Sequence, residues 1–266
     1  MDYVVAGHRA HVYTGAKPPD HALPWVVFVH GAAHDHSVFA LQSRSFAWHR
    51  RNVLAVDLPG HGRSDGVPLA SIEAIADWLA ALLDAAGAPR ASLVGHSMGA
   101  LAALECAARH PARIERIALL GPSVPMPVSD DLLAAARDDE PLARAMIVAW
   151  SLSPTGAMAT NPWPGQWMPG GALRLLERAR PGTLAIDLAA CNAYTNGLAA
   201  AAACAAPALC ILGTRDQMAP ARAAQPLIAA LARCEVVTLA GAGHALMSEA
   251  PDAVLAALAA FVPAAA

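Results

Sequence analysis

Short and almost wholly apolar runs recur along the chain: WVVFV (residues 25–29), NVLAV (52–56), ASLV (91–94), IALL (117–120), ALCIL (208–212) and EVVTL (235–239). Continuous runs of this length, bounded by Gly, Pro or charged residues, predict strands buried on both faces of a parallel sheet. Ahead of them, YVVAGHRAHVYTG alternates around Gly7 and predicts a hairpin of two edge strands. Between most runs the apolar spacing changes to three and four. In SIEAIADWLAALLDAAG, Ile72, Ile75, Trp78, Leu79 and Leu82 share one helical face, Ser71 stands at the N-cap, Glu73 in the first turn and Gly87 at the stop. Strands alternating with helices predict an α/β fold with a mainly parallel sheet.

The rhythm breaks between IALL and ALCIL. That interval holds helical stretches, SDDLLAAARDDEPLARAMIVAW, GALRLLERAR and TLAIDLAACNAY, with the Pro/Trp/Gly segment NPWPGQWMPGG among them. It is too long for a structureless loop. The expected organisation is a core of residues 1–122 and 207–266, with residues 123–206 as a helical cap over one end of the sheet.

Composition narrows the class. In 266 residues, 56% are hydrophobic and 15% charged, which excludes a disordered chain and suits one domain with an insertion. The most membrane-like stretch, LAAAAACAAPALCIL, is interrupted by Pro207 and falls short of the roughly 20 residues a span needs. No basic segment followed by an apolar one opens the chain, so no signal peptide is expected. The net charge of −3 gives no reason to expect nucleic acid or an anionic membrane as partner. Cys106, Cys191, Cys204, Cys210 and Cys234 show no C-x-x-C spacing and read as buried thiols in a reducing cytoplasm.

The chemistry starts at GHSMG (residues 95–99), which follows the ASLV strand and opens the helix ALAALECAARH. In that strand–turn–helix setting the glycines permit a sharp turn that projects the Ser97 hydroxyl. A serine needs a base to take its proton and a third group to orient the base. GTRDQMAP places Asp216 just beyond the ALCIL strand, and GAGHALMSEAP places His244 in a loop beyond EVVTL. Asp216 would accept from His244 Nδ1, and His244 Nε2 would take the Ser97 proton.

Together with HGAA and DLPGHGRSDG, these motifs resemble the cap-bearing, serine-dependent, esterase-like branch of the α/β-hydrolase fold superfamily, over nearly the whole chain. The resemblance implies an eight-stranded, mostly parallel sheet flanked by helices, a helical cap after the sixth strand and a Ser97–Asp216–His244 triad. It implies an oxyanion hole from the backbone amides of Ala32 and Met98, with His30 orienting the loop. Serine at position 97 argues against haloalkane dehalogenases and epoxide hydrolases, which carry Asp there. GPSVP (residues 121–125) offers no competing carboxylate. No cofactor and no metal are expected, even though HGAAHDH (30–36) crowds three histidines and an aspartate together.

Within that stretch, His34 is a candidate for the pocket mouth, and residues 35–37 are expected as a solvated loop with a helix N-cap. His96 is expected as core or pocket wall, and His61 and Asp57 as structural parts of their turn. The cap contributes Met146, Trp150, Trp163, Trp167 and Tyr194 as further substrate-binding candidates, with Met168 beside them. Arg137, Arg144 and Arg174 form no evident pair for a dicarboxylate. The expected activity is hydrolysis of a small or medium, mostly apolar carboxylic ester through an acyl-enzyme on Ser97. C–C, lactone and thioester hydrolysis, cofactor-free oxygenation and ligand reception on the same fold stay open, as does a homodimer. The expected partner is a small-molecule substrate.

Overall fold

The computed structural model describes residues 1–158 and 165–265. Its strands are β1 (Asp2–Val5), β2 (His8–Tyr13), β3 (Trp25–Val29), β4 (Asn52–Val56), β5 (Ala91–His96), β6 (Ile114–Leu120), β7 (Ala208–Gly213) and β8 (Cys234–Leu239). They form one eight-stranded sheet in the order β1-β2-β4-β3-β5-β6-β7-β8. β1 pairs antiparallel with β2, and β2 with β4; every other pairing is parallel. The fold expectation is met. β3, β4, β5 and β7 are buried along their whole length, as their unbroken apolar runs require. β8 departs from the doubly buried expectation. It is the last strand of the sheet, so Glu235 and Val236 are exposed.

The helices are α1 (Ala40–Trp48), α2 (Ile72–Ala85), α3 (Met98–Arg109), α4 (Asp130–Asp138), α5 (Glu140–Ser151), α6 (Pro154–Ala157), α7 (Met168–Glu177), α8 (Thr183–Ala193), α9 (Gly197–Ala203), α10 (Gln225–Ala230), α11 (Leu246–Glu249) and α12 (Pro251–Phe261). Leu79 and Leu82 of α2 and Leu101 and Leu104 of α3 pack on one face of the sheet. Phe46 of α1 and Leu258 and Phe261 of α12 pack on the other, where Phe28 meets Phe46 edge-on. The Ser71 hydroxyl caps α2 by accepting from the Ala74 amide. Among the described residues, no helix is long and apolar enough to cross a membrane.

The interval between β6 and β7 is helical, α4 to α9. The stretch from Ser129 to Trp150 reads as one helix in sequence but breaks at Asp139, whose side chain caps α5 by accepting from Leu142, with Pro141 in the first turn. Leu132, Ile147, Leu176, Leu184 and Leu188 form a cluster of their own, and it closes onto Ala33 after β3 and Met218 after β7. This seats the cap helices over the C-terminal ends of the parallel strands, where an α/β sheet gathers its loops. α9 differs: Ala200 and Ala201 join the core cluster beside α3.

Candidate active site

Three strand ends deliver the chemistry. Beyond β5, Ser97 adopts φ 54° and ψ −117°, a backbone that few non-glycine residues take, and its amide donates to Leu120 O at 2.9 Å. The turn is tight enough that a Cβ on Gly95 would overlap Gly99 O, and one on Gly99 would overlap Val29 O. Gly99→Ala is therefore expected to destabilise by about 1–3 kcal/mol or more and to displace the serine. Thermal denaturation and ester turnover check this together; a variant with wild-type values in both would contradict it.

Beyond β7 and β8, His244 Nδ1 lies 2.8 Å from Asp216 Oδ2, and both side chains are buried. The other carboxylate oxygen, Oδ1, accepts from the amides of Met218 (2.9 Å) and Ala219 (2.7 Å), which fixes the carboxylate plane. The helical segment between β6 and β7 holds His244 from behind. Ser151 O, at the end of α5, accepts from the amides of both His244 (2.8 Å) and Ala245 (3.0 Å). Glu249 joins the same two parts, accepting from Gly243 N at 2.9 Å and Ser153 N at 3.0 Å.

The loop after β3 is held peptide by peptide. Gly31 O accepts from the His30 ring Nδ1 at 2.8 Å and from His34 N at 3.3 Å. In a trans peptide the N–H points opposite the C=O, so anchoring Gly31 O aims the Ala32 amide the other way. Among the described residues that amide has no hydrogen-bond acceptor, and Ala32 lines the same cavity as Ser97 and His244. His30 is set in turn by its Nε2, which accepts from Leu58 N at 3.1 Å. Burial, with the charge of neighbouring His61, pushes the His30 pKa down to about 4, so the ring is neutral.

Next along the loop, Ala32 O accepts from His34 Nδ1 at 2.6 Å. Ala33 N donates to Asp187 of α8 at 2.8 Å. Asp35 caps the following 3₁₀ turn by accepting from Ser37 N at 2.8 Å, as expected. The solvated setting is corrected: Asp35 is buried and paired with Arg178 of the cap at 2.7 Å, and His36 bonds Asp57 through Nδ1 at 2.7 Å. His96 is part of the cavity wall; its Nε2–H donates to His244 O at 2.9 Å.

The cavity has a volume of about 510 Å³. His34, Trp150 and Met168 line it with Ser97 and His244. Three other candidates lie elsewhere. Trp167 is 74% exposed, Met146 packs among the cap helices, and Tyr194 is buried with its hydroxyl donating to Glu105 at 2.6 Å. Trp163 lies outside the described residues. Arg137, Arg144 and Arg174 pair with Asp138, Glu140 and Glu177 on their own helices. Among the described residues, one group could offer a metal three ligand atoms within 4.8 Å, His11, His36 and Asp57. His36 already bonds Asp57, and His11 bonds Asp2.

Sequence reasoning missed Asp187, Glu249 and Ser151. Asp187 carried a signal: it is the one charged residue in the helical run TLAIDLAACNA.

Residues 26–257 match the alpha/beta hydrolase family. The chain is 40% identical over 134 residues to a pimeloyl-[acyl-carrier protein] methyl ester esterase of Chromobacterium violaceum, covering 50% of this chain and 48% of that one. A Mus musculus sn-1-specific diacylglycerol lipase is 36% identical over 102 residues, 38% of this chain and 33% of that one. The matches thus span about half or less of these relatives' length. Among solved structures, an enol-lactonase from Burkholderia xenovorans LB400 superposes with a TM-score of 0.85 at 26% identity, over 98% of this chain and 99% of that one.

Proposed function

The chain belongs to the alpha/beta hydrolase family, and on that premise we propose that it is a serine hydrolase cleaving neutral carboxylic esters or lactones through an acyl-enzyme on Ser97. The observation that carries this reading is the buried Asp216–His244 pair, whose histidine lines one cavity with a serine on a strained turn. Ser97 attacks the carbonyl as His244 Nε2 takes its proton, and His244 then protonates the leaving oxygen. Asp216 fixes the tautomer and favours the imidazolium. Water activated by His244 releases the acid and restores the serine. The Ala32 amide and that of Met98, which as the first residue of α3 has no acceptor inside its own helix, stabilise the oxyanion by roughly 2.7–4 kcal/mol each. The esterase and lactonase names among the relatives support the same bond class.

The cavity argues for the substrate's polarity. Among the described residues lining it there is no Lys, Arg, Asp or Glu, and Met126, Leu132, Ile147, Trp150, Met218 and Met247 supply much of its wall. An anionic substrate would be desolvated without a partner. We assign His34 and Trp150 to substrate contact. A homodimer and a cytoplasmic setting are carried as proposals, the latter on five free thiols.

The test has two arms. A fluorophosphonate probe should label Ser97, and an unlabelled serine in folded protein removes the reading. On a panel of esters, lactones and vinylogous diketones, kcat/KM for p-nitrophenyl butyrate should exceed that for a hemisuccinate ester by about tenfold or more. Equal rates would contradict the neutral cavity, and diketone turnover alone would move the activity to C–C hydrolysis.

A further inference from the structure

The one carboxylate of α8 sits where a carboxylate is expensive. Asp187 is 1% exposed on a helix whose neighbours Leu184, Leu188 and Cys191 are also buried. An ionised side chain there costs several kcal/mol unless charge and hydrogen bonds offset it. Two contacts offset part of that cost, both from the core domain and both to Oδ2, while Oδ1 is buried with no hydrogen-bond partner among the described residues. Ala33 N donates to it at 2.8 Å, and His61 Nε2 lies 2.8 Å from it.

The protonation of His61 follows from its partners. Its Nδ1 lies 2.9 Å from Pro59 O, a group that can only accept, so Nδ1 carries a proton. Its Nε2 faces the Asp187 carboxylate, which favours a second proton there. Burial works against the charged ring, yet the bond to Asp187 raises its pKa overall, aided by Pro59 O and Asp57. A buried His61–Asp187 contact therefore crosses the seam between cap and core.

That pair holds a specific peptide. Ala33 has φ 54°, a left-handed conformation unfavourable for alanine. Its N–H belongs to the peptide whose C=O is taken by His34. The preceding peptide carries the Ala32 amide. We infer that Asp187 is a positioning residue for the oxyanion hole: a cap side chain that, through Ala33 and His61, holds the loop from which the Ala32 N–H reaches the substrate. The cap thus completes the catalytic site as well as covering it.

The inference rests on the acyl-transfer reading, and Ser97→Ala on the same ester separates the two. Turnover that persists without Ser97 removes the acyl-enzyme; Ser97-dependent turnover indifferent to Asp187 removes only the positioning role. Asp187→Leu keeps the branched shape, with a larger volume, and removes the acceptor. With p-nitrophenyl butyrate, kcat should fall about 10–100-fold with KM within about threefold, because the amide is misplaced only for the oxyanion. The inhibition constant of a trifluoromethyl ketone, which forms that oxyanion, should rise in the same proportion.

Asp187→Asn retains an oxygen at the position where Oδ2 accepts from Ala33 N–H, so it should recover most of the lost kcat near pH 7. In the wild type, kcat should also decline on the alkaline side as His61 loses its proton. His30, His34 and Asp57 face the same ring region, so the comparison is made within one background. In Asp187→Asn that decline should begin at lower pH, because a neutral amide oxygen at the same position holds the His61 proton less firmly. A folded Asp187→Leu enzyme with kcat within twofold of wild type overturns the inference. If the leucine variant does not fold, an asparagine variant that keeps the wild-type alkaline decline overturns it instead.

Discussion

Ser97→Ala is expected to lower kcat on p-nitrophenyl esters by roughly 10⁵–10⁶-fold while leaving the thermal midpoint within a few degrees of wild type. The change removes one oxygen from a turn whose backbone is held by Leu120 O and by the close glycines on either side. Alanine is no worse than serine at φ 54°, so the elbow should persist. His244→Ala should cost about as much, and the double variant little more, because nucleophile and base act as one unit. Asp216→Asn should cost roughly 10⁴-fold for a reason specific to this site. Oδ1 accepts from two amides and must remain an oxygen, so the new NH₂ falls where Oδ2 now meets His244 Nδ1. A donor there forces the proton onto Nε2, which can no longer take one from Ser97. Steady-state turnover with circular dichroism on the same samples checks the set. More than about 1% residual activity in Ser97→Ala would sink the assignment.

The sheet, and the gathering of Ser97, Asp216 and His244 at one end of it, were legible because both are written in local patterns. An unbroken apolar run has only one place to go in a domain of this size, and residues just beyond such runs fall at one end of the sheet. The ends of the elements were less legible. β6 starts at Ile114, three residues before IALL, because Glu115 and Arg116 lie where the strand emerges from the core and are half-buried. EVVTL looked doubly buried because apolarity alone does not reveal that a strand is the last in its sheet. Trp167 and Tyr194, which lie away from the cavity, were misjudged for another reason. Size and apolarity mark Tyr194 for burial, but whether it faces a cavity or Glu105 depends on how α8 is rotated against α3. The cap-to-core bonds of Asp187, Ser151 and Glu249 join residues far apart in sequence, and no local spacing encodes them.

The histidines around the loop after β3 make stability itself a test. His30, His34 and His96 have pKa values lowered chiefly by burial, so the fold holds them neutral while the unfolded chain protonates them near 6.5. Protons then bind the unfolded state preferentially, and the stability these rings contribute is complete above 6.5 and lost as pH falls from there. For His30 the descent from 6.5 to about 4 corresponds to roughly 3–4 kcal/mol at ~1.4 kcal/mol per unit. Set against the 5–15 kcal/mol typical of a folded domain, that is a large share, from one side chain. His61 works in the opposite sense. Its pKa is raised in the fold, so its contribution is fully present below 6.5 and lost as pH rises through the folded value. Maximum stability is therefore expected close to neutral pH, with an acid limb set by the rings around the oxyanion loop and an alkaline limb set by the His61–Asp187 pair. Urea midpoints from pH 4.5 to 9 measure both limbs. His30→Asn, whose side chain does not titrate, should shed about one proton from the acid slope whatever its absolute stability. His61→Gln should flatten the alkaline limb alone. An acid slope unchanged in His30→Asn would mean that His30 is not held neutral by the fold, and its hydrogen bonds to Gly31 and Leu58 would then no longer explain how the Ala32 amide is aimed.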